Sequence, residues 1–314
     1  MNATGTATTL VIGATGTTGS RTCARLAAAG HAVRAAARRV PSATSTASGA
    51  IGATGVTGAA GASGPGIEPV VFDWYDTDTH GPALRGVDRL YVIPPVGDPD
   101  PARVVLPFLR RARAGGARRA VLLSASSIPE GGPAAGQVHR ALPQIFDEWA
   151  VLRPSWFMQN FTGGHLHARS IRDEGVIRTA TGTGRVGFVD AEDIAAVAAR
   201  ALTDVRAPDT DLVLTGPEAL GYDDVAAVVA EVTGRPVAHR SLTREELRVR
   251  LAALMPEEFA AILADMDRAI ADGAEDRVTD AVLRVTGRPA HDFRSVMRRE
   301  WERASKAGAA ATDG

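Results

Sequence analysis

The stretch Thr8-Thr-Leu-Val-Ile-Gly-Ala-Thr-Gly-Thr-Thr-Gly-Ser-Arg21 decides the fold. Leu10, Val11 and Ile12 form an apolar run without polar alternation, the pattern of a strand buried on both faces of a parallel sheet. Gly13, Gly16 and Gly19 follow at three-residue spacing. An apolar helical pattern through Cys23, Leu26 and Ala27 then stops at Gly30. Residues 32–37 read as a second strand. Strand, turn, helix and strand in this order open a doubly wound parallel α/β sheet.

The glycines have separate tasks. One frees a tight turn from Cβ strain, one lets the backbone approach a pyrophosphate, and one lets the helix pack on the strand. The N–H groups at the helix start then hold phosphates, with Thr15, Thr17 and Thr18 adding hydroxyls. The end of the second strand selects the dinucleotide: a carboxylate there suits NAD, an arginine the 2′-phosphate of NADP. From residue 21 to 67 there is no Asp or Glu, whereas Arg34, Arg38 and Arg39 stand at the strand end. Arg38 is the expected 2′-phosphate ligand, since a guanidinium grips phosphate with two parallel bonds. Arg34 reads as a solvated basic edge. NADP(H) is the expected cofactor.

Composition narrows the rest. The chain has 314 residues, 45% of them hydrophobic, and a formal charge of −1. No basic excess suggests nucleic acid, and no apolar run approaches the ~18 residues of a membrane span. No secretory signal is visible at the N-terminus, so a cytoplasmic enzyme acting on a small molecule is expected, and a homodimer is compatible with the sequence. Cys23 is the only cysteine, which leaves no disulfide or cysteine-based zinc site within one chain, and no metal is expected. Lys306 is the only lysine among 35 basic residues.

Residues 41–66, almost all Ala, Gly, Ser and Thr, read as a mobile insertion. Within them, 52–58 copy the glycine spacing with no strand before and no helix after, so they are repetition. A third strand at 68–73 ends in Asp73, which either accepts from an adenine amino group or caps the next helix. Strands at 87–93, 120–123 and 149–152 follow. The fourth is closed by Pro94-Pro95, the fifth runs into Ser124, and the sixth into a loop carrying Pro154, Trp156, Phe157, Met158 and Asn160. The turn at Gly13, Pro94, Ser124 and that loop should line one crevice. Trp156, Phe157 and Met158 either stack on a flat substrate or pack as core, and Asn160 orients the loop. A short strand at 186–189, a helix at 190–202 and a strand at 211–214 return to the sheet. Helices at 222–233, 244–254, 257–271, 279–285 and 292–303 build a lobe. The expected division is 1–160 with 186–215 for the nucleotide domain, 161–185 with 216–303 for the substrate lobe, and 304–314 as a frayed tail.

Gly13-Ala-Thr-Gly-Thr-Thr-Gly19, Arg38, Leu152-Arg-Pro-Ser-Trp-Phe-Met-Gln-Asn-Phe161 and Phe188-Val-Asp-Ala-Glu-Asp-Ile-Ala together resemble the NmrA-like branch of the atypical short-chain dehydrogenase/reductase superfamily. Phe72-Asp-Trp-Tyr-Asp76 and Gly136-Gln-Val-His139 resemble its ergot-alkaloid reductases, the festuclavine and agroclavine dehydrogenase type. The resemblance implies a Rossmann domain with a small C-terminal substrate lobe. It also implies NAD(P)H-dependent reduction of a C=C, C=N or quinone group.

Ordinary short-chain dehydrogenases use Tyr-x-x-x-Lys, the lysine lowering the tyrosine pKa for proton transfer. None of Tyr75, Tyr91 and Tyr222 has a lysine four residues later. An already activated acceptor needs less protonic help, so holding it against the nicotinamide suffices. Candidates for residual acid or orienting work are Ser124 and His139, the latter otherwise a surface helix histidine. His165 and His167 are two apart and should face apart on a helix. Asp190, Glu192, Asp193, Asp223, Asp224, Glu245 and Glu246 begin helices, where charge complementation accounts for them. A dinucleotide-sensing regulator is the rival reading. A sugar-nucleotide epimerase is disfavoured by the absent tyrosine.

Overall fold

The structure, a computed structural model, describes residues 7–39 and 64–312, with side chains through 304. Residues 40–63 hold nearly all of the expected insertion and the 52–58 repeat, which therefore lie outside the described residues.

Seven parallel strands form the central sheet: β1 (Thr8–Ile12), β2 (Ala32–Ala37), β3 (Ile67–Val71), β4 (Arg89–Val92), β5 (Arg119–Leu123), β6 (Glu148–Pro154) and, further along the chain, β9 (Thr210–Leu214). Their order is β3-β2-β1-β4-β5-β6-β9. The chain leaves β1 toward one edge and returns to start β4 beside it, so β1 and β4 flank the switch point where such sheets bind ligands. The interior strands are apolar throughout because both faces are covered. Leu10, Ile12, Leu90, Val92 and Leu122 enter the core beneath α2 (His80–Leu84), α3 (Ala102–Ala114) and α4 (Ala135–Ile145). Val11, Tyr91, Val121 and Leu152 enter the opposite core beneath α1 (Thr17–Ala28) and α6 (Ala191–Thr203). Edge strand β3 tolerates Pro69, whose missing N–H would break a ladder elsewhere.

Beyond the sheet lie α5 (Leu166–Glu174), β7 (Val176–Thr179), β8 (Arg185–Val186), β10 (Leu220–Gly221), α7 (Tyr222–Thr233) and β11 (Ala238–Ser241). They are followed by α8 (Arg244–Ala252), α9 (Glu257–Ala271), α10 (Ala281–Thr286) and α11 (Phe293–Thr312). A third core gathers Phe161, Phe188, Tyr222, Val229, Ile270 and Phe293. The pairs β7–β11 (parallel) and β8–β10 (antiparallel) stand apart from the main sheet.

Several readings are corrected. The strand expected at 186–189 as part of the sheet is the two-residue β8, which pairs with β10 outside it. Neither α5 nor the β7–β11 pair was expected: Leu166-His-Ala-Arg-Ser-Ile-Arg-Asp-Glu174 is too polar to announce a helix, and the pair is four residues deep. Strand β6 continues through Pro154, which pairs with Leu214, where a loop was expected. Helix α11 runs to Thr312, past the expected end at 303.

Arg34 is buried rather than a solvated edge. Its guanidinium donates to Glu68 at 2.7 and 3.1 Å and to the carbonyls of Pro82, Ala83 and Arg85 behind α2. Arg119 repeats the device with Glu148 and the carbonyls of Ala201, Leu202 and Asp204 at the end of α6. Each thereby satisfies helix-terminal carbonyls that have no intrahelical donor.

Candidate active-site cleft

Gly13 ends β1 with φ +73°, a conformation that side chains resist, and its carbonyl accepts from Gly16 N–H at 2.9 Å. Helix α1 then opens at Thr17 with no side-chain cap, leaving its first N–H groups directed out of the turn. A Cβ at Gly19 would stand 2.1 Å from the Gly13 carbonyl oxygen. Only glycine lets the helix sit this close, and the closeness shapes the cradle.

That turn is one end of a cleft of about 1660 Å³ that also meets Arg38, Asp73, Pro94, Phe157 and Asn160. Arg38 is exposed at the rim, just past β2. The two readings of Asp73 separate. Asp76 caps the following turn through Asp78 N–H at 3.1 Å, while Asp73 accepts from Tyr75 N–H at 2.9 Å and borders the cleft. Tyr75 donates its hydroxyl to Asp98 at 2.7 Å, tying this turn to the loop after β4.

The structure brings together Gly13, Thr15, Gly16, Thr17, Thr18, Arg38, Asp73, Pro94, Phe157 and Asn160 at the cleft. The other candidates stand behind it. Gly19 packs against the turn, and Pro154 sits within the sheet. The loop after β6 divides: Phe157 faces the cleft, whereas Met158 is 1% exposed within the third core and Trp156 packs against that core. Ser124 Oγ is sealed from solvent without a hydrogen-bond partner, beside cleft-lining Leu123. His139 is 4% exposed on the inner face of α4, which corrects the surface expectation. Burial holds its imidazole pKa below the ordinary value, and its Nδ1 lacks a partner.

Sequence reasoning missed the far wall, built from Phe161, His165, Ile171, Val229, Phe259 and Trp301 on elements remote in sequence. Their only signal is the apolar face each helix carries. His165 is the N-cap of α5, its Nδ1 accepting from His167 N–H at 3.2 Å. Because His165 lies outside the helix, the two rings approach to 5.1 Å instead of facing apart. Burial lowers the pKa to about 4 for His165 and about 3 for His167, so both are neutral. Three of the acidic residues satisfy helix starts: Asp190 caps α6, Asp224 bonds Gly221 N–H before α7, and Glu246 closes a capping box with Thr243 before α8; Glu192, Asp193 and Asp223 instead pair with Arg21 and Arg25, with Arg288 and His291, and with His239.

No protein-family model matches the chain. It is 44% identical to the oxidoreductase YesF of Bacillus subtilis (strain 168) over 280 residues, 89% of this chain and 90% of that protein. The chain belongs to the NmrA-like branch of the atypical short-chain dehydrogenases/reductases. It is 41% identical to the agroclavine dehydrogenase of Claviceps fusiformis over 241 residues, 73% of this chain and 83% of that protein. Among solved structures it is similar to the NADP(H) complex of a Citrobacter sp. triphenylmethane reductase, with TM-score 0.73 and 21% identity over 94% of this chain and all of that one. As a member of this family the chain is an NAD(P)H-dependent oxidoreductase with a Rossmann-type sheet. Among the described residues, no helix is long and apolar enough to cross a membrane.

Proposed function

We propose that the chain is an NADPH-dependent reductase that passes hydride to an activated C=N, C=C or quinone acceptor without a tyrosine–lysine pair. The observation that carries this reading is the single cleft that runs from the glycine turn to an aromatic wall. The residues present fit the cofactor: the uncapped start of α1 and the close Gly13–Gly19 approach make a phosphate cradle. Arg38 stands where a 2′-phosphate ligand is needed, and Asp73 borders the part of the cleft suited to adenine. Reduced nicotinamide, once bound, supplies the hydride.

The chain's own residues bind and orient. Amides at the start of α1, with Thr15, Thr17 and Thr18, hold the diphosphate, and Pro94 stiffens the loop beside the ribose. Phe157 and Phe161 exclude water and stack against a flat acceptor, Asn160 offers it a carboxamide, and the third core with α7–α11 serves as the substrate lobe. A proton relay through tyrosine finds no support. Burial pushes the phenol pKa of Tyr91 and Tyr222 upward, and the hydrogen bond to Asp98 does so for Tyr75. A catalytic tyrosine requires the opposite shift. An electrophile that carries its own activation fits such a site.

The test is NADPH oxidation against a panel of quinones, cyclic iminium ions and conjugated enones. Turnover confined to activated acceptors is expected. Turnover of simple ketones, or of nothing on the panel, would overturn the reading.

A further inference from the structure

The 157–161 turn is held from behind by a buried polar junction whose centre is Asp190, a carboxylate with no solvent exposure. Gln159 spends both ends of its carboxamide there: Nε2 donates to Asp190 Oδ1 at 2.8 Å, and Oε1 accepts from Ala191 N–H at 2.9 Å. Arg299, from α11, donates to both oxygens of Asp190 at 3.1 and 2.9 Å. Burial alone would raise the Asp190 pKa, but the Arg299 charge and the hydrogen bonds from Glu192 N–H, Gln159 and Arg299 outweigh it, and Asp190 stays ionised. His291 Nδ1 lies 3.0 Å from Asp190 and 2.8 Å from Asp193, and Arg288 reaches Asp193 at 2.8 Å.

Asp190, Asp193 and His291 also satisfy the spacing of a metal site. The charges argue against one. Two arginines already balance two carboxylates, so a divalent cation would enter a compensated site. What the junction does instead is tie two cleft walls, the 157–161 turn and α11, to the start of α6. Gln159 borders the cleft between Phe157 and Asn160, Asp190 starts α6, and Arg299 lies among Met297, Glu300 and Trp301, which line the cleft from α11.

We propose that Gln159, clasped by Asp190, is a positioning residue for hydride transfer: it fixes the 157–161 turn so that Phe157 and Asn160 present a rigid wall to the acceptor. This rests on the reductase reading. Positioning is expensive to lose, since a misplacement of about 1 Å can cost on the order of a hundredfold in rate.

Two variants test it. Gln159→Met removes both hydrogen bonds at similar length. The expected result is a ten- to hundredfold fall in kcat, with NADPH Kd within twofold of wild type and Tm only a few degrees lower. An unchanged kcat, or losses that merely track Tm and NADPH affinity, would overturn the proposal. Gln159→Glu adds a pH signature. Ionised, its carboxylate opposes Asp190; protonated, it again offers a donor to Asp190 and an acceptor to Ala191 N–H. Facing that position are Asp190, Glu192 and Asp193 from α6, Arg288 and His291 before α11, and Arg299 and Glu300 on it. The ratio of variant to wild-type kcat should climb as pH falls from 8 toward 5, and a flat ratio counts against the clasp. Wild type inert on every acceptor would sink the reductase reading; an active wild type with an indifferent Gln159→Met would sink the clasp alone.

Discussion

Arg38→Ala should separate the two nicotinamide coenzymes. Strand β2 ends at Ala37, and Arg38 is the next residue, exposed on the cleft rim. A hydrogen bond to a charged group is worth about 1.5–3 kcal/mol net, or roughly ten- to 150-fold in affinity. An exposed guanidinium is partly screened, so the lower half of that range applies, and NADPH Kd should rise about ten- to thirtyfold. NADH has no 2′-phosphate and its Kd should move less than twofold. The difference should shrink with added salt, because the Debye length falls from roughly 30 Å at 0.01 M to about 3 Å at 1 M. Arg38→Lys, keeping charge without the bidentate fork, should lie between. Energy transfer from protein tryptophan to the bound reduced coenzyme reads both constants, with Trp74 bordering the cleft as a donor. Equal losses for the two coenzymes, or none for either, would refute the phosphate assignment.

Gly19→Ala should behave differently: its Cβ would meet the Gly13 carbonyl oxygen at 2.1 Å, so the turn or helix must move. Both coenzymes should weaken at least tenfold, with about 1–3 kcal/mol of stability lost in denaturant titrations; selective loss of NADPH alone would contradict this. Burial raises the Asp267 pKa from 3.8 to about 6. Between those values the folded chain keeps a proton that the unfolded chain releases, so this group's contribution to stability is fully present below about pH 4 and is lost as pH rises through about 6, by at most about 2–3 kcal/mol. Asp267→Asn should therefore raise Tm at pH 7.5 and flatten its dependence between pH 4 and 6; an unchanged slope refutes the assignment. Cys23 is fully buried on α1 with its thiol pKa pushed up to about 12 by burial. It should resist an aromatic disulfide reagent at pH 8 until α1 opens, and NADPH should slow labelling further. Stoichiometric labelling within minutes would show that α1 is not seated as described.

The glycine-turn end of the cleft was legible because its determinants are local. Gly13, Gly16 and Gly19 lie within one strand–turn–helix, and Arg38 and Asp73 stand one and two residues past the ends of their strands, so strand ends alone bring them to one edge. The far wall was not, because Phe161, His165, Val229, Phe259 and Trp301 come from elements far apart whose pairing no local pattern encodes. The loop after β6 shows the limit within a single motif. Periodicity could not say which of Trp156, Phe157 and Met158 would face the cleft, since the answer depends on how Phe157 bridges Val189 and where Phe188 and Phe293 leave room.

Arg34 and Arg38 show how position along a strand assigns a role to the same side chain. Both lie at or after β2 with equal parity, four residues apart, and composition treats them alike. Arg34 pairs in register with Leu10, near the start of the parallel sheet, where the helix that follows β3 ends and exposes its last carbonyls. A fork that spans a carboxylate and three carbonyls uses nearly all its donors, and a lysine's single ammonium could not cover both groups. Arg38 lies past the carboxyl end of the same strand, where ligands of open α/β sheets bind and where, among the described residues, no helix terminus competes for it. A near-absence of lysine therefore has two consequences that share one cause. Arginine serves where several acceptors must be met at once, at Arg34 and Arg119 inside the fold, and Arg38 is left exposed at the crevice rim, where the proposed phosphate contact would be made.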